Sequence, residues 1–191
     1  MEKVICVYSS SSNSIEKLYF EQAAILGGEI ARKGWKMLFG GGMTGLMGAC
    51  ARAVHEAKGR VIGVIPKALN VSGVVYEQCD ELIVTEGMRE RKGVMDNKSD
   101  AFIALPGGFG TLEEILEIIT LKQLQYHNKP IVILNINGFY DNLINQFDAI
   151  VDRKFAKDEC KDLFFVTDSV YTAIEYIAGY VPHVFGCRWL T

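Results

Sequence analysis

The chain has 191 residues, 49% of them hydrophobic and 23% charged, with a formal net charge of -3. That is enough chain to bury a full core, and it reads as a single domain over residues 1–191. The slightly acidic balance gives no broad basic field for nucleic acid, and no apolar run reaches the ~18 residues that span a membrane.

Taken in chain order, short β-rich runs alternate with longer helix-period segments. The first strand is expected over residues 3–8, followed by a polar turn from Ser9 to Ser12 and a helix over 14–33. A second strand, 36–39, runs into a glycine loop and a helix over 44–58. The third strand, 60–65, precedes the one long irregular connection, 66–80, which is polar and placed to serve as a lid or a partner-facing loop. Strands at 81–85, 101–105, 130–135 and 163–166 then alternate with helices at 88–98, 111–126, 140–154 and 169–178. Helical crossovers require parallel pairing, and near-continuous apolar strands require helices on both faces. The expected fold is a doubly wound α/β parallel sheet of about seven strands. Ligands in such sheets bind beyond the carboxyl ends of the strands, where the strand order reverses.

The most informative segment follows the fifth strand. Pro106 leads into Gly107, Gly108, Phe109 and Gly110, and Thr111 opens a helix. Glycines let backbone N–H groups approach an anion, and a helix N-terminus adds roughly half a positive charge. Glu114 stands three residues further on, so it either presents a carboxylate to a bound ligand or closes a capping box with Thr111. Glu113 lies about 100° around the helix and either faces elsewhere or offsets the positive helix end.

An earlier loop, Gly40 to Gly48, contains G-x-G-x-x-G at Gly40, Gly42 and Gly45. The dinucleotide fingerprint also wants an acidic residue about 20 positions on, and the next strand ends in Pro66 and Lys67 instead. A mononucleotide or sugar phosphate therefore fits better than NAD, and no Gly-Lys-Ser/Thr makes a P-loop. The alternative is that these glycines only shape a tight turn. Met88, Arg89, Glu90, Arg91 and Lys92 place three cations at a helix start, where the macrodipole disfavours them. An anion compensates them, or they form a solvated run. Ser9 in the first polar turn is a weaker ligand candidate.

Cys6, Cys50, Cys79, Cys160 and Cys187 are scattered and odd in number, without Cys-x-x-Cys spacing, which points to reduced thiols rather than disulfides or zinc. The chain enters a strand pattern almost at once with no charged-then-apolar leader, so a cytoplasmic location is expected. His55, His127 and His183 have no metal spacing, so no metal is expected. No Ser-His-Asp arrangement or G-x-S-x-G elbow supports acyl chemistry, and no lysine is singled out for a Schiff base.

Gly40-Gly41-Gly42 with Gly45-Leu46-Met47-Gly48, Val61 to Pro66, Met88-x-x-Arg91-Lys92, Pro106-Gly107-Gly108-x-Gly110-Thr111-x-x-Glu114, Lys129-Pro130 and Gly138-Phe139-Tyr140-Asp141 together resemble the Lonely Guy (LOG) family over nearly the whole chain. The resemblance implies a Rossmann-like homodimer with its site near the subunit interface, and no cofactor is expected. It further implies a phosphoribohydrolase that cleaves cytokinin riboside 5'-monophosphates, often AMP as well, into free base and ribose 5-phosphate. Arg91 and Glu114 match the family's catalytic pair. The resemblance places Lys92, the loop from Gly107 to Thr111, Glu113 and Thr120 against substrate, with Ser9, Gly42, Gly45 and Met88 as further candidate contacts. Two departures stand out: the first turn is Ser9-Ser10-Ser11-Ser12 where the family commonly has Cys-Gly-Ser-Ser, and Arg89 replaces a common histidine. A nucleotide or molybdenum-cofactor carrier on the same fold is the alternative, and a carrier does not need Arg91 and Glu114 together.

Overall fold

The computed structural model describes residues 2–182; His183 and Cys187 lie outside them. The strands are β1 (Val4–Tyr8), β2 (Lys36–Phe39), β3 (Arg60–Pro66), β4 (Glu81–Thr85), β5 (Ala101–Ala104), β6 (Ile131–Leu134) and β7 (Phe165–Thr167). The helices are α1 (Lys17–Arg32), α2 (Gly45–Glu56), α3 (Met88–Lys98), α4 (Phe109–Gln123), α5 (Asp141–Asp152) and α6 (Val170–Gly179). The seven strands form one sheet in the order β4-β3-β2-β1-β5-β6-β7, and every pairing is parallel. The doubly wound α/β architecture expected from the alternation of strands and helices is therefore present.

Strand periodicity divides the core into two layers. Ile5 and Val7 of β1 join Met37, Phe39 and Ile103 under α1, α2 and α6, where Leu26, Val54 and Ile174 close the layer. Cys6 and Tyr8 point the other way and join Leu38, Ile62 and Phe102 under Met95 of α3 and Ile115 and Ile118 of α4. Each fully buried side chain of this size contributes about 1.5–3 kcal/mol through removal of apolar surface from water.

Two boundaries differ from expectation in ways that matter. Leu163 belongs to a short 3-10 turn, Asp158–Leu163, because its side chain packs with Val151, Ala156 and Cys160 rather than in the sheet. Helix α4 starts at Phe109, not Thr111, with Gly108 as its extended cap residue. No helix among the described residues is long and apolar enough to cross a membrane.

Candidate active site

The chain winds outward from β1 through β2 and β3 to β4, then returns to place β5 on the other side of β1. The strand order reverses there, so a crevice must open beyond the carboxyl ends of β1 and β5. The structure has a cleft of about 680 Å³ at that point, between the Ser9 to Ser12 turn and the start of α4. Arg91, Glu114, Ser9, Gly42, Met88, Gly108, Gly110 and Thr111 all line it.

Arg91 and Glu114 meet across two helices. Arg91 Nη1 donates to Glu114 Oε1 at 2.7 Å, and the two side chains are 9% and 12% exposed. Arg91 Nε donates to the Val64 carbonyl at 3.1 Å, which fixes the guanidinium at the end of β3. Gly40 completes the seat, because a Cβ there would run into the guanidinium. Burial pushes the Glu114 carboxyl above its ordinary range, and the Arg91 charge opposes that rise. The capping-box alternative does not hold. With the helix starting at Phe109, Thr111 is inside the first turn, and Glu114 turns to Arg91 instead.

The first N–H groups of α4 have no side-chain cap, and no acidic residue occupies its first turn. A helix N-terminus in that state is an anion site. The Ser9 hydroxyl, on a residue 9% exposed, is buried at the same cleft and has no hydrogen-bond partner in the protein. A buried hydroxyl without a partner is costly, so its place here suits a polar ligand atom.

The first glycine loop behaves differently. Its helix end is already satisfied: Gly45 N donates to Asn13 Oδ1 at 2.8 Å, and Leu46 N to the Ser10 carbonyl at 2.9 Å. Gly45 has φ +61° and packs against the Ser10–Ser11 backbone, outside the cleft lining. The Ser9 to Asn13 turn thus consumes the amides that the G-x-G-x-x-G pattern offers a ligand. Gly42 keeps its place in the cleft.

Lys92 does not reach the cleft. It pairs with Glu113 and, at 2.8 Å, with Glu117, strapping α3 to the outer face of α4. These carboxylates and Glu114 supply the anions that Lys92 and Arg91 require at the start of α3. Gly107 lies beneath the Thr111 side chain and does not line the cleft, since a Cβ there would strike the Thr111 hydroxyl. Thr120 returns its hydroxyl to the Leu116 carbonyl at 2.8 Å and faces a separate apolar cavity between α4 and α5.

The connection 66–80 does fold over the sheet edge. Val75 bridges Gly42, Met43 N donates to the Val74 carbonyl at 2.9 Å, and Tyr76 N to the Gly41 carbonyl at 2.8 Å. This lays Leu69 and Val74 along the cleft beside Met47 and Ile65. Phe109 stands at the mouth, 93% exposed. Leu69 and Val74 carried no sequence signal beyond the position of the loop.

A family model described as "Possible lysine decarboxylase" matches residues 47–177. The chain is 41% identical over 178 residues to the cytokinin riboside 5'-monophosphate phosphoribohydrolase LOG of Oryza sativa subsp. japonica, covering 93% of this chain and 74% of that protein. It is 39% identical to LOG5 of Arabidopsis thaliana, over 94% of this chain and 79% of that one. The chain belongs to the LOG family. Among solved structures, the LOG-family chain is similar to the molybdenum cofactor carrier protein of Chlamydomonas reinhardtii, with TM-score 0.71 and 25% identity over 93% of this chain and 97% of that one. A molybdenum cofactor binding protein of Rippkaea orientalis gives TM-score 0.72 at 24% identity, a likeness of fold alone. In this LOG-family chain, Arg91 and the 106–114 run both fall inside the matched segment.

Proposed function

We propose that this chain hydrolyses the N-glycosidic bond of cytokinin riboside 5'-monophosphates and AMP, releasing free base and ribose 5-phosphate. The observation that carries the reading is the buried Arg91–Glu114 pair set beside the uncapped start of α4. The α4 amides and the Ser9 hydroxyl hold the 5'-phosphate, with Gly108, Gly110 and Thr111 supplying the cradle and Gly42 and Met88 the opposite wall. The ribose then lies over Glu114. The reaction passes through an oxocarbenium-like sugar, which a nearby carboxylate stabilises. Water forms its bond to the anomeric carbon as the bond to the base breaks; Glu114 takes one proton from the water, the departing base nitrogen takes one up from solvent, and Glu114 then returns its proton to solvent. Arg91 holds Glu114 ionised and aimed.

Lys92 and Glu113 act by fixing α3 against α4 rather than by touching substrate. The site works without a cofactor, in the cytoplasm, within one nucleotide-binding domain. Incubation with AMP and with N6-isopentenyladenosine 5'-monophosphate, followed by chromatography, is expected to show free base and ribose 5-phosphate. The fold likeness to the Chlamydomonas carrier keeps a second reading in view: binding of nucleotide without base release would favour a carrier.

The same reading includes a homodimer. Ile115 and Ile118 of α4 face the core, while Leu116 remains 39% exposed beside an apolar cavity of about 240 Å³ that Ile119, Ile144 and Phe147 also line. An apolar face of this kind suits a second copy. Sedimentation velocity is expected to give twice the chain mass, and Leu116→Asp to shift the protein toward monomer. A wild-type sample that stays monomeric refutes the dimer.

A further inference from the structure

Gly138, Phe139, Tyr140 and Asp141 have no part in the chemistry above, yet one of them reaches the site from beneath. After β6 the chain coils tightly: Asn137 and Gly138 are both left-handed, at φ 52° and 69°. Asn135 ties the coil together, its Oδ1 accepting the Tyr140 N–H at 2.7 Å and its Nδ2 donating to Asp141 Oδ1 at 2.7 Å. This winding drives Tyr140 under the sheet edge, where it is 2% exposed. Its hydroxyl donates to the Leu105 carbonyl at 2.7 Å.

The turn that opens α4 is therefore pinned from three sides. Leu105 N donates to the Tyr8 carbonyl at 2.9 Å, and Ser10 N donates to the Pro106 carbonyl at 3.2 Å from the β1 side. Tyr140 supplies the third hold, from below, and is not among the residues lining the cleft. The other two holds are backbone to backbone and tolerate any sequence; only this one depends on a side chain.

We propose that Tyr140 is a positioning residue: its hydroxyl sets the height of the 107–111 turn and hence the affinity for the sugar-phosphate end of the substrate. This rests on the phosphate-binding role given to that turn above. Without the hydroxyl, the Leu105 carbonyl loses its buried hydroxyl partner, and the turn relaxes away from its set height.

Tyr140→Phe keeps the ring and removes one oxygen. KM for AMP and the Kd of ribose 5-phosphate, the latter by calorimetry, are expected to rise together by roughly three- to tenfold, the size of one net hydrogen bond, with kcat within about twofold. Amide exchange should quicken across residues 105–111 and stay unchanged in β5. Unchanged KM and Kd overturn the proposal, as does exchange that quickens equally in both segments. Should Tyr140→Phe fail to fold, Gly138→Ala serves: its Cβ would meet the Asp141 carboxylate at 2.6 Å at a left-handed φ, displacing the turn with Tyr140 chemically intact. The same rise in KM and Kd is expected there, and unaltered constants overturn the proposal. If the wild type binds ribose 5-phosphate but releases no adenine, the hydrolase reading fails while the Kd comparison still decides the role of Tyr140.

Discussion

Glu114→Gln is expected to slow base release from AMP by about 100-fold or more, the usual cost of removing a central charge-stabilising group. The substitution is nearly isosteric, and its amide oxygen still accepts from Arg91 Nη1, so the fold around the 2.7 Å contact should persist. What is lost is the negative charge that favours the oxocarbenium-like sugar and the base that takes a proton from water. A pH profile separates this from a packing defect. Burial holds the Glu114 carboxyl above its ordinary range despite Arg91. In the proposed reaction the ionised form is the active one, so wild-type turnover is expected to fall as pH drops through that raised value. The residual activity of Glu114→Gln should lack this acid limb. Steady-state chromatography of released adenine measures both, and unchanged turnover in the variant removes Glu114 from the chemistry.

The layered sheet was legible because each strand is apolar on both faces and each crossover carries a 3.6-residue period, a local pattern that survives without tertiary information. The start of α4 was not. Phe109 and Gly110 have weak helix propensity, so Thr111 looked like the cap, and the Thr-x-x-Glu spacing then imitated a capping box. Moving the start two residues upstream frees Glu114 for Arg91, a partner 23 positions away that only the packing of α3 on α4 reveals. Lys92 shows the same limit. Its match to a family pattern suggested a ligand contact, whereas Glu113 and Glu117 on the neighbouring helix claim it. The first glycine loop was legible as a strand-to-helix turn but not as an occupied one. Whether Gly45 offers its amide depends on the Ser9 to Asn13 turn arriving from β1, an adjacency set by strand order. The rim residues Leu69 and Val74 were the least legible, since an exposed apolar side chain has no periodicity to announce it.

Arg91→Ala is expected to lower stability by about 3–5 kcal/mol at neutral pH, the range for removing one partner of a buried ion pair. The guanidinium is 9% exposed and bridges Val64 and Glu114, so its loss leaves a buried carboxylate with its main counter-charge gone. The direction with pH follows from the same geometry. Arg91 is the strongest influence holding the Glu114 carboxyl down, so without it burial raises that group further. A carboxyl raised above its unfolded value contributes stability below the unfolded value, and that contribution is lost as pH climbs through the folded one. The deficit of Arg91→Ala against wild type should therefore be largest at neutral pH and shrink in acid, as Glu114 takes up its proton. Adding Glu114→Gln removes the orphaned charge, so the double variant should be more stable than Arg91→Ala alone at neutral pH, a coupling that a double-mutant cycle reads directly. Urea unfolding of the three variants at acid and neutral pH measures it. A pH-independent deficit, or singles that add without coupling, would mean that the two side chains do not form the coupled buried pair that the proposed reaction uses.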